Sequence, residues 1–416
     1  MARLYNTFDF VGHIFIPNDR NKFHHVNESA SGWEGHTLTF AVQESKNNSV
    51  FVELYGGYNK PKPNTVYSFS KGLGGEKGSP IEIPWNKRLD PDIVDMVADF
   101  RKIIVDFTID EDVRELRNDI LAGIRRLEFK DHLTDEDKKE LAEYRQDLRD
   151  KVPERYKFIH PYDAVLALAN QLPVYKDHKF RIRGDIEFNE WNGEFYRKFV
   201  PRVIEIVPED TPNQLKAQID IYFTRDSLDD RRVRSENRVY IDGYVLSYDY
   251  KAKKDQFFPQ QFVINTEKVD FENEKQVRLL ELLKKQFKVT GRGVYHLPWE
   301  VNIFRGAETV EFTEKDLTPE QRELVAFGLN KVEDFAPKGG LLGEAIQENR
   351  LVKPILRNFG NGNDFSSGAV ETEFTEDDLV FEFTKQEQKQ QNTVSTPLDK
   401  SSDTTEALDQ LEDLFG

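Results

Sequence analysis

The chain has 416 residues, of which 38% are hydrophobic and 12% aromatic, including 31 Phe and 15 Tyr. This composition supports packed cores and favours β-structure, because aromatic side chains are enriched in strands. The absence of cysteine excludes disulfides, thiolate chemistry and cysteine-based zinc sites. No signal peptide or membrane-spanning apolar run is recognised, so a cytoplasmic protein is expected, in the host cytoplasm if it is viral.

The net charge of −17 is distributed unevenly along the chain. Residues 1–89 carry 10 bases and 8 acids, and residues 176–254 carry 16 bases and 15 acids. By contrast, residues 90–157 carry 14 bases and 20 acids, and residues 371–384 carry 6 acids and no base. Two near-neutral blocks therefore remain that can present a basic surface to nucleic acid.

A short repeat opens both near-neutral blocks. Residues 8–14 (FDFVGHI) and 180–186 (FRIRGDI) share the pattern Phe-x-apolar-x-Gly-x-Ile, 172 residues apart. Alternation on either side of the Gly predicts a strand, and an internal Gly indicates a bulge or tight bend. Such a strand suits the opening of a small closed barrel.

The residues after each copy predict further strands. In the first block they cover residues 36–43, 49–55 and 65–70; in the second they cover residues 194–206, 216–223, 238–250 and 256–264. Asn192-Gly193 is a hairpin signal. About five strands over roughly 90 residues is the size of an OB-type barrel.

Helices are predicted between and after these blocks. Residues 110–150 indicate two charged helices, the second with a capping box of Thr134 and Asp137. A third helix begins at Pro161 and runs to Pro173, and a fourth covers residues 274–285. Residues 339–367 are rich in Gly and Asn and predict loops, whereas residues 374–383 form a short acidic amphipathic segment.

The last part of the chain differs in composition from the rest. Residues 385–402 are rich in Gln, Ser and Thr with almost no apolar residue, which predicts a disordered tether. Residues 403–416 (DTTEALDQLEDLFG) combine five acids, no base and an apolar end formed by Leu411, Leu414 and Phe415. This acidic tail is suited to a basic partner surface.

The predicted fold is a β-rich α+β chain with two OB-like five-stranded β-barrels, a helical insertion and a disordered acidic C-terminal tail. The predicted domains are a first barrel at 1–107, a helical insertion or linker at 108–175, a second barrel at 176–268, a mixed α/β extension at 269–384 and the tail at 385–416.

Signatures of catalysis, cofactor binding and metal binding are absent. Residues 72–79 (GLGGEKGS) lack the Gly-Lys-Ser/Thr order of a phosphate-binding loop and indicate a flexible barrel loop. The eight His are scattered, and the one close pair, His24-His25, indicates a surface loop more than a metal site. No nucleophile elbow, His-Glu-x-x-His or paired-carboxylate pattern occurs, so no cofactor, metal or enzymatic activity is expected.

Aromatic and basic residues alternate in both blocks, as in surfaces that stack unpaired bases and neutralise the adjacent phosphates. For each residue taken alone, the alternative to DNA binding is that the aromatic side chains pack in a core and the neighbouring bases lie on the surface. The candidate DNA-binding residues are Tyr55, Tyr58, Lys60, Lys62, Tyr67 and Lys71 in the first block, and Arg181, Arg183, Trp191, Tyr196, Arg197, Lys198, Tyr248, Tyr250, Lys251, Lys253 and Lys254 in the second.

Several arginines crowd residues 224–238 among acids. Arg231, Arg232 and Arg234 are candidate DNA contacts, as a mobile phosphate clamp between two strands. Salt bridges that neutralise this loop from within are an equal alternative.

These features together resemble single-stranded DNA-binding proteins, particularly those of bacteriophages. The resemblance rests on residues 3–70 and 178–266, with their internal Gly, Asn-Gly hairpin and aromatic-basic strands, and on the tail ending Leu414-Phe415-Gly416. It implies OB barrels that bind single-stranded DNA without sequence preference. It also implies an acidic tip, here Asp409, Glu412, Asp413, Leu414 and Phe415, that recruits replication, repair and recombination proteins and competes with DNA for the basic groove.

The sequence therefore predicts a non-enzymatic single-stranded DNA-binding protein of phage DNA replication or recombination. A monomeric state is compatible with this prediction. Its affinity is expected to fall steeply with salt and to rise with oligonucleotide length. Two alternatives stay open: a protein-interaction or structural module that does not bind DNA, and a metal-dependent nuclease with unrecognised acids.

Overall fold

The computed structural model describes residues 6–72, 78–128, 130, 132–153, 155–310, 313–335, 341–355 and 369–383. The chain divides into two compact units. Unit 1 comprises Met1–Glu44, Val50–Glu187 and Arg197–Ile219, and unit 2 comprises Ser45–Ser49, Phe188–Tyr196 and Asp220–Gly416. The predicted tail lies outside the described residues, as do Leu73–Lys77 of the Gly-rich stretch. The predicted domain boundaries stay a prediction.

Strands dominate the described part of the chain. They are β1 (Thr7–Phe15), β2 (His24–Glu28), β3 (Trp33–Ser45), β4 (Asn48–Asn59), β5 (Val66–Phe69), β6 (Pro80–Ile83), β7 (Ile103–Asp106), β8 (Tyr156–Phe158), β9 (Lys179–Trp191), β10 (Glu194–Ile206), β11 (Gln214–Phe223), β12 (Leu228–Asp229), β13 (Arg238–Asp249), β14 (Lys254–Asn265), β15 (Tyr295–Val310), β16 (Leu341–Pro354) and β17 (Val370–Glu371).

The helices of the described residues are α1 (Arg20–Phe23), α2 (Pro91–Met96), α3 (Glu111–Glu128), α4 (Asp135–Lys151), α5 (Pro161–Tyr175), α6 (Glu274–Lys285) and α7 (Pro319–Ala326). With parallel and antiparallel strand pairs, this confirms the prediction of a β-rich α+β chain.

The two copies of the sequence repeat are neighbours in unit 1. Strand β1 pairs antiparallel with β9, with Phe8 opposite Gly184 and Phe10 opposite Ile182. The other edge of β1 pairs with β11 over residues 7–11 and with β3 over residues 13–15. The prediction that each copy opens its own five-stranded barrel is not confirmed, because the two repeat strands pair with each other within one sheet. The alternation of apolar residues in the repeat determines which face of each strand is apolar, but it does not determine which strands are paired.

The glycines of the repeat are required by close backbone contacts. A Cβ on Gly12 would collide with the carbonyl oxygen of Gln43, and one on Gly184 would collide with that of Val200. Each internal Gly thus marks a place where a neighbouring strand approaches closely.

The core of unit 1 lies against this sheet. Phe8, Phe10 and Phe199 form a ring cluster with centroids 4.5–5.4 Å apart. Strand β7 extends the sheet beside β10 in parallel, and β8 pairs with β7. Strands β5 and β6 form a separate hairpin.

The two charged helices predicted over residues 110–150 are confirmed. Helices α3 and α4 pack through Ile120, Ile124, Leu127 and Leu141, and Thr134 and Asp137 form the predicted capping box. Helix α5 begins at Pro161 as predicted but continues through Pro173 to Tyr175.

Unit 2 is built on a long hairpin. Strands β13 and β14 pair from Arg238 opposite Asn265 to Asp249 opposite Lys254, and β14 runs parallel to β16, which pairs antiparallel with β15. Helix α6 has the predicted bounds. The prediction of loops over residues 339–367 is wrong for Leu341–Pro354, which is strand β16. The Gly and Asn clusters flank this strand, and pairing with β15 supplies the backbone hydrogen bonds.

The acidic segment, Val370–Phe383, runs along unit 2. Residues 370 and 371 pair with β15. Phe374 packs its ring against Phe257, and Leu379 is buried. Phe381 lies 5.0 Å from the rings of Phe195 and Phe258. The predicted amphipathic segment therefore packs through its apolar side chains.

Candidate nucleic-acid interface

A tight hairpin joins β9 to β10 and exposes a tryptophan. Asn192 and Gly193 have φ of 53° and 86°, as the two central positions of a type I′ turn require. The amide of Gly193 donates to Oε1 of the buried Glu190, 2.5 Å away. Trp191 stands directly before this turn and is 59% exposed.

The residues of this hairpin alternate between two environments. Phe195 contacts Phe258 and Phe381 in the core of unit 2. Because the turn has two residues, Tyr196 and Trp191 share the opposite face of the hairpin. Tyr196 is accordingly exposed.

A second hairpin tip joins β13 to β14. The buried carboxylate of Asp249 accepts from the amides of Lys251 and Ala252 and from Nε2 of Gln256, which shapes the turn. Lys253 adopts a left-handed φ of 55°. Tyr248 in β13 and Tyr250 in the turn that follows have ring centroids 5.2 Å apart. Both are exposed, Tyr250 by 64%.

Lys251 connects the two tips. Its Nζ lies 3.0 Å from Oε2 of Glu190 and 5.1 Å from the centroid of the Trp191 ring. We call the surface at these tips the hairpin patch, and it consists of Trp191, Tyr196, Tyr248, Tyr250, Lys251, Lys253 and Lys254. All of these residues belong to unit 2.

The acidic segment contacts one edge of the hairpin patch. Glu382 forms an ion pair with Lys254. The backbone of Glu382 also pairs with the side chain of Gln256, since its amide donates to Oε1 at 3.0 Å and its carbonyl accepts from Nε2 at 3.3 Å. Sequence reasoning assigned Lys251 and Lys254 to DNA but did not identify their respective partners, Glu190 and Glu382, because these contacts link distant parts of the chain.

The hairpin patch has the chemistry needed to hold an unpaired strand. Exposed aromatic rings stack on bases of any sequence, at about 1–3 kcal/mol per base. Ammonium groups beside them neutralise phosphates. Four exposed rings and three lysines at two connected tips therefore form the candidate interface.

The arginine loop of unit 2 is neutralised by its own acids. Arg231 forms a two-pronged pair with Asp229 at 2.9 Å, and this pair lowers the pKa of Asp229. Arg232 contacts Asp229 and Glu236, 3.9 and 3.3 Å away. Arg234 lies 4.0 Å above the ring of Phe271. These contacts correspond to the alternative of internal salt bridges.

In unit 1, Tyr55 and Tyr58 have aromatic partners of their own. The hydroxyl of Tyr55 accepts from Nε1 of Trp33 at 2.9 Å, although its ring is exposed. Tyr58 stacks on Trp85 with centroids 4.8 Å apart and an interplanar angle of 13°. One face of Tyr58 is thus covered by the protein itself.

Lys60 belongs to a buried carboxylate network. Its Nζ lies 2.8 Å from Glu28 and 2.5 Å from Glu34, and the hydrogen bond that it donates to Glu28 is the main cause of the raised pKa of Lys60. The hydrogen bond from Lys60, with smaller contributions from His36 and Tyr162, lowers the pKa of Glu34 from 4.5 to about 2. Lys60 therefore balances a structural carboxylate.

The other first-block candidates lie on exposed positions. Lys62 is exposed and forms no ion pair within the described residues. Tyr67, in β5, is 74% exposed. Lys71 lies 3.9 Å from Asp99. These residues do not adjoin the hairpin patch in sequence, and they belong to unit 1.

The basic residues on β9 and β10 of unit 1 contact other groups. Arg181 donates to both carboxylate oxygens of Asp9, 2.9 and 2.5 Å away, and this hydrogen bonding raises the pKa of Arg181. Arg183 contacts Glu205 at 3.0 Å, and Lys198 contacts Glu53 at 2.5 Å. Arg197 lies 5.4 Å from the ring of Phe199.

The described residues contain no group of three or more His, Asp or Glu arranged to hold a metal ion. His24 instead bonds to His36 at 2.8 Å, and His36 bonds to Glu34 at 2.9 Å. Among the described helices, none is long and apolar enough to cross a membrane.

Comparisons with known proteins give little similarity. No protein-family model matches the chain, and no curated protein matches it. One solved structure with a detectable likeness is a deletion mutant of the single-stranded DNA-binding protein from Thermus aquaticus, at 9% identity and a TM-score of 0.25, covering 73% of this chain and 89% of that one. A TM-score of this size does not establish a shared fold.

Proposed function

We propose that this chain binds single-stranded DNA without sequence preference and that the hairpin patch makes the contact. The observation that carries this proposal is the exposure of four aromatic rings, Trp191, Tyr196, Tyr248 and Tyr250, beside lysines at two connected hairpin tips. Surface rings of this size are costly to leave in water and are typical of binding surfaces. No catalytic step is part of the proposal.

Stacking supplies most of the affinity in this proposal. The lysines of the hairpin patch number three, and two of them, Lys251 and Lys254, already contact Glu190 and Glu382. Each phosphate neutralised on a single strand contributes a slope of about −0.7 to the plot of log K against log salt. The slope should therefore be no steeper than about −2, which is shallower than the sequence alone suggests.

The biological role within this proposal is protection of single-stranded DNA during phage replication or recombination. The support is the pattern of the sequence, including an acidic tip of five acids with Leu414 and Phe415 suited to recruit proteins with basic, apolar pockets. The tip residues Asp409, Glu412 and Asp413 provide the charge for such contacts.

The direct test is a titration of a fluorescent oligo-dT at low and high salt, with duplex DNA as competitor. Binding that survives the duplex competitor and weakens moderately with salt is the expected result. Absence of binding at low salt would refute the proposal. Cleavage of the strand in the presence of magnesium would favour the nuclease alternative.

A protein-interaction module is the second candidate function. It is favoured by one observation, the pairing of most candidate bases with acids, as in Arg181 with Asp9 and Lys198 with Glu53. Under this alternative the exposed rings contact a protein, and the oligo-dT titration gives no binding.

A further inference from the structure

Helix α6 carries an exposed stripe that combines leucines with bases. Lys275, Arg278, Leu279, Leu282 and Lys285 occupy positions i, i+3, i+4, i+7 and i+10 and thus share one face of the helix. Leu279 and Leu282 are 56% and 54% exposed, whereas Leu280 on the other face is buried. We call these five residues the α6 stripe.

The bases of the α6 stripe differ from most other candidate bases of the chain. Within the described residues, Lys275, Arg278 and Lys285 form no ion pair. The one acid of α6 beyond its first turn, Glu281, is engaged by Lys284 at 2.7 Å and by Lys288 at 3.8 Å. The stripe therefore presents three bases that form no ion pair within the described residues, around an apolar centre.

The tail, residues 403–416, has the complementary composition. It holds five acids and no base, and Leu411, Leu414 and Phe415 are interleaved with Asp409, Glu412 and Asp413. An acidic and apolar segment satisfies both features of the stripe at once, because its side chains cover the leucines while its carboxylates face the bases.

Other occupants fit the α6 stripe less well. A second copy of the stripe would bring its bases against like charges, and two leucines bury too little area for a stable dimer. A nucleic-acid strand would pair with the bases but leave the leucines without a stacking partner, since aliphatic side chains offer no ring face.

The tail is long enough to reach the stripe from the last described residue. Asp409 lies 26 positions after Phe383 in the chain. A chain of that length spans at most roughly 85 Å when extended and about 28 Å on average as a random coil. The extended length exceeds the diameter of a compact unit of about 200 residues such as unit 2.

We propose that the α6 stripe is the docking site of this chain's own acidic tail, within the same molecule. This interaction does not depend on DNA binding. It holds the tail on a surface of unit 2 separate in sequence from the hairpin patch.

The experiment places the photoreactive residue p-benzoylphenylalanine at position 415 of the full chain and irradiates a dilute sample without DNA. The expected product is an intramolecular crosslink to residues 274–288, with a yield that falls several-fold in about 0.5 M salt because screening weakens the charge contacts. The double variant Leu279→Ser/Leu282→Ser should lower the yield at least threefold. Leu89→Ser, a similarly exposed leucine of unit 1, should leave it unchanged.

Three results would overturn the proposal: crosslinks to Trp191 or to residues 248–254, covalent dimers as the main product, or no crosslink at all. A second measurement needs no probe in the tail. Lys275 and Lys285 should be acetylated at least twofold faster in a chain ending at residue 402, whereas Lys139, an exposed lysine of α4, should react equally in both. Equal rates at all three lysines would also refute it.

Discussion

Similar residues of unit 1 and unit 2 can have different surroundings. In unit 1, Lys60, Arg181 and Lys198 each contact a carboxylate, and Tyr58 is covered by Trp85. In unit 2, Trp191 and Tyr250 stand exposed at hairpin tips. The comparison shows that alternating aromatic and basic residues in a sequence identify candidate DNA-binding residues. The contacts of each side chain then decide between a structural role and a binding role.

The largest expected effect comes from removing two rings of the hairpin patch. The variant Trp191→Ala/Tyr250→Ala should weaken oligo-dT binding by at least about 30-fold, because two stacked bases contribute about 2 kcal/mol or more. The matched control in unit 1 is Tyr67→Ala, which removes an equally exposed ring and should change the dissociation constant less than twofold. Fluorescence anisotropy measures both. Equal losses of oligo-dT affinity in the two variants would show that DNA contacts both units and would contradict the difference proposed between them.

The second prediction concerns stability and not binding. Glu34→Gln should lower the free energy of unfolding at pH 7 by about 2 kcal/mol, because the carboxylate accepts charged hydrogen bonds that an amide replaces poorly. The folded-state pKa of Glu34 is lowered from 4.5 to about 2, so its stabilisation is complete above about pH 4.5 and is lost as the pH falls towards 2.

Urea denaturation at pH 7 and pH 3 therefore measures a difference between wild type and Glu34→Gln that narrows at the lower pH. The affinity of the folded variant for oligo-dT should match that of the wild type. A large loss of affinity in a folded Glu34→Gln protein would assign a binding role to this network of unit 1.

A third, smaller effect separates two exposed lysines. Lys253→Gln in the hairpin patch should weaken binding about threefold at low salt and make the salt slope shallower by about 0.7, the contribution of one phosphate. Lys62→Gln in unit 1 should leave the affinity and the slope unchanged. The comparison fails if the two variants exchange these outcomes.

The smallest effect tests the contact between the acidic segment and the hairpin patch. Glu382→Gln should release Lys254 and tighten binding about twofold, since exposed ion pairs contribute only about 0–1 kcal/mol. Glu376→Gln removes a carboxylate from the same segment and should have no effect. Weaker binding by Glu382→Gln would show that this glutamate positions the lysine for DNA instead of competing for it.

Much of the secondary structure was predictable because local signals set it. The capping box of Thr134 and Asp137 marks the start of α4, the apolar spacing of residues 274–285 gives α6 its bounds, and the Asn192-Gly193 turn separates β9 from β10. Strand β16 was not predicted because the Gly and Asn residues that flank it indicate loops. The strand forms through pairing with β15, which is distant in sequence.

The candidate site was only half predictable. Tyr58 and Tyr250 have similar local sequences, since a Lys follows each within two positions. Tyr58 nevertheless stacks on Trp85, whereas Tyr250 is exposed. No local pattern distinguishes them, because the ring that covers Tyr58 lies 27 positions along the chain.

The sequence by itself determined the helices, the hairpin turns, the β-rich class and the set of aromatic and basic candidates, since these depend on residues within a few positions of one another. The tertiary structure decided that β1 pairs with β9, that most candidate bases contact acids, and that Lys251 links two hairpin tips through Glu190. Pairing of strands and ions depends on groups that are distant in sequence and is decided by the free energy of the whole fold, in which burial and register are optimised together.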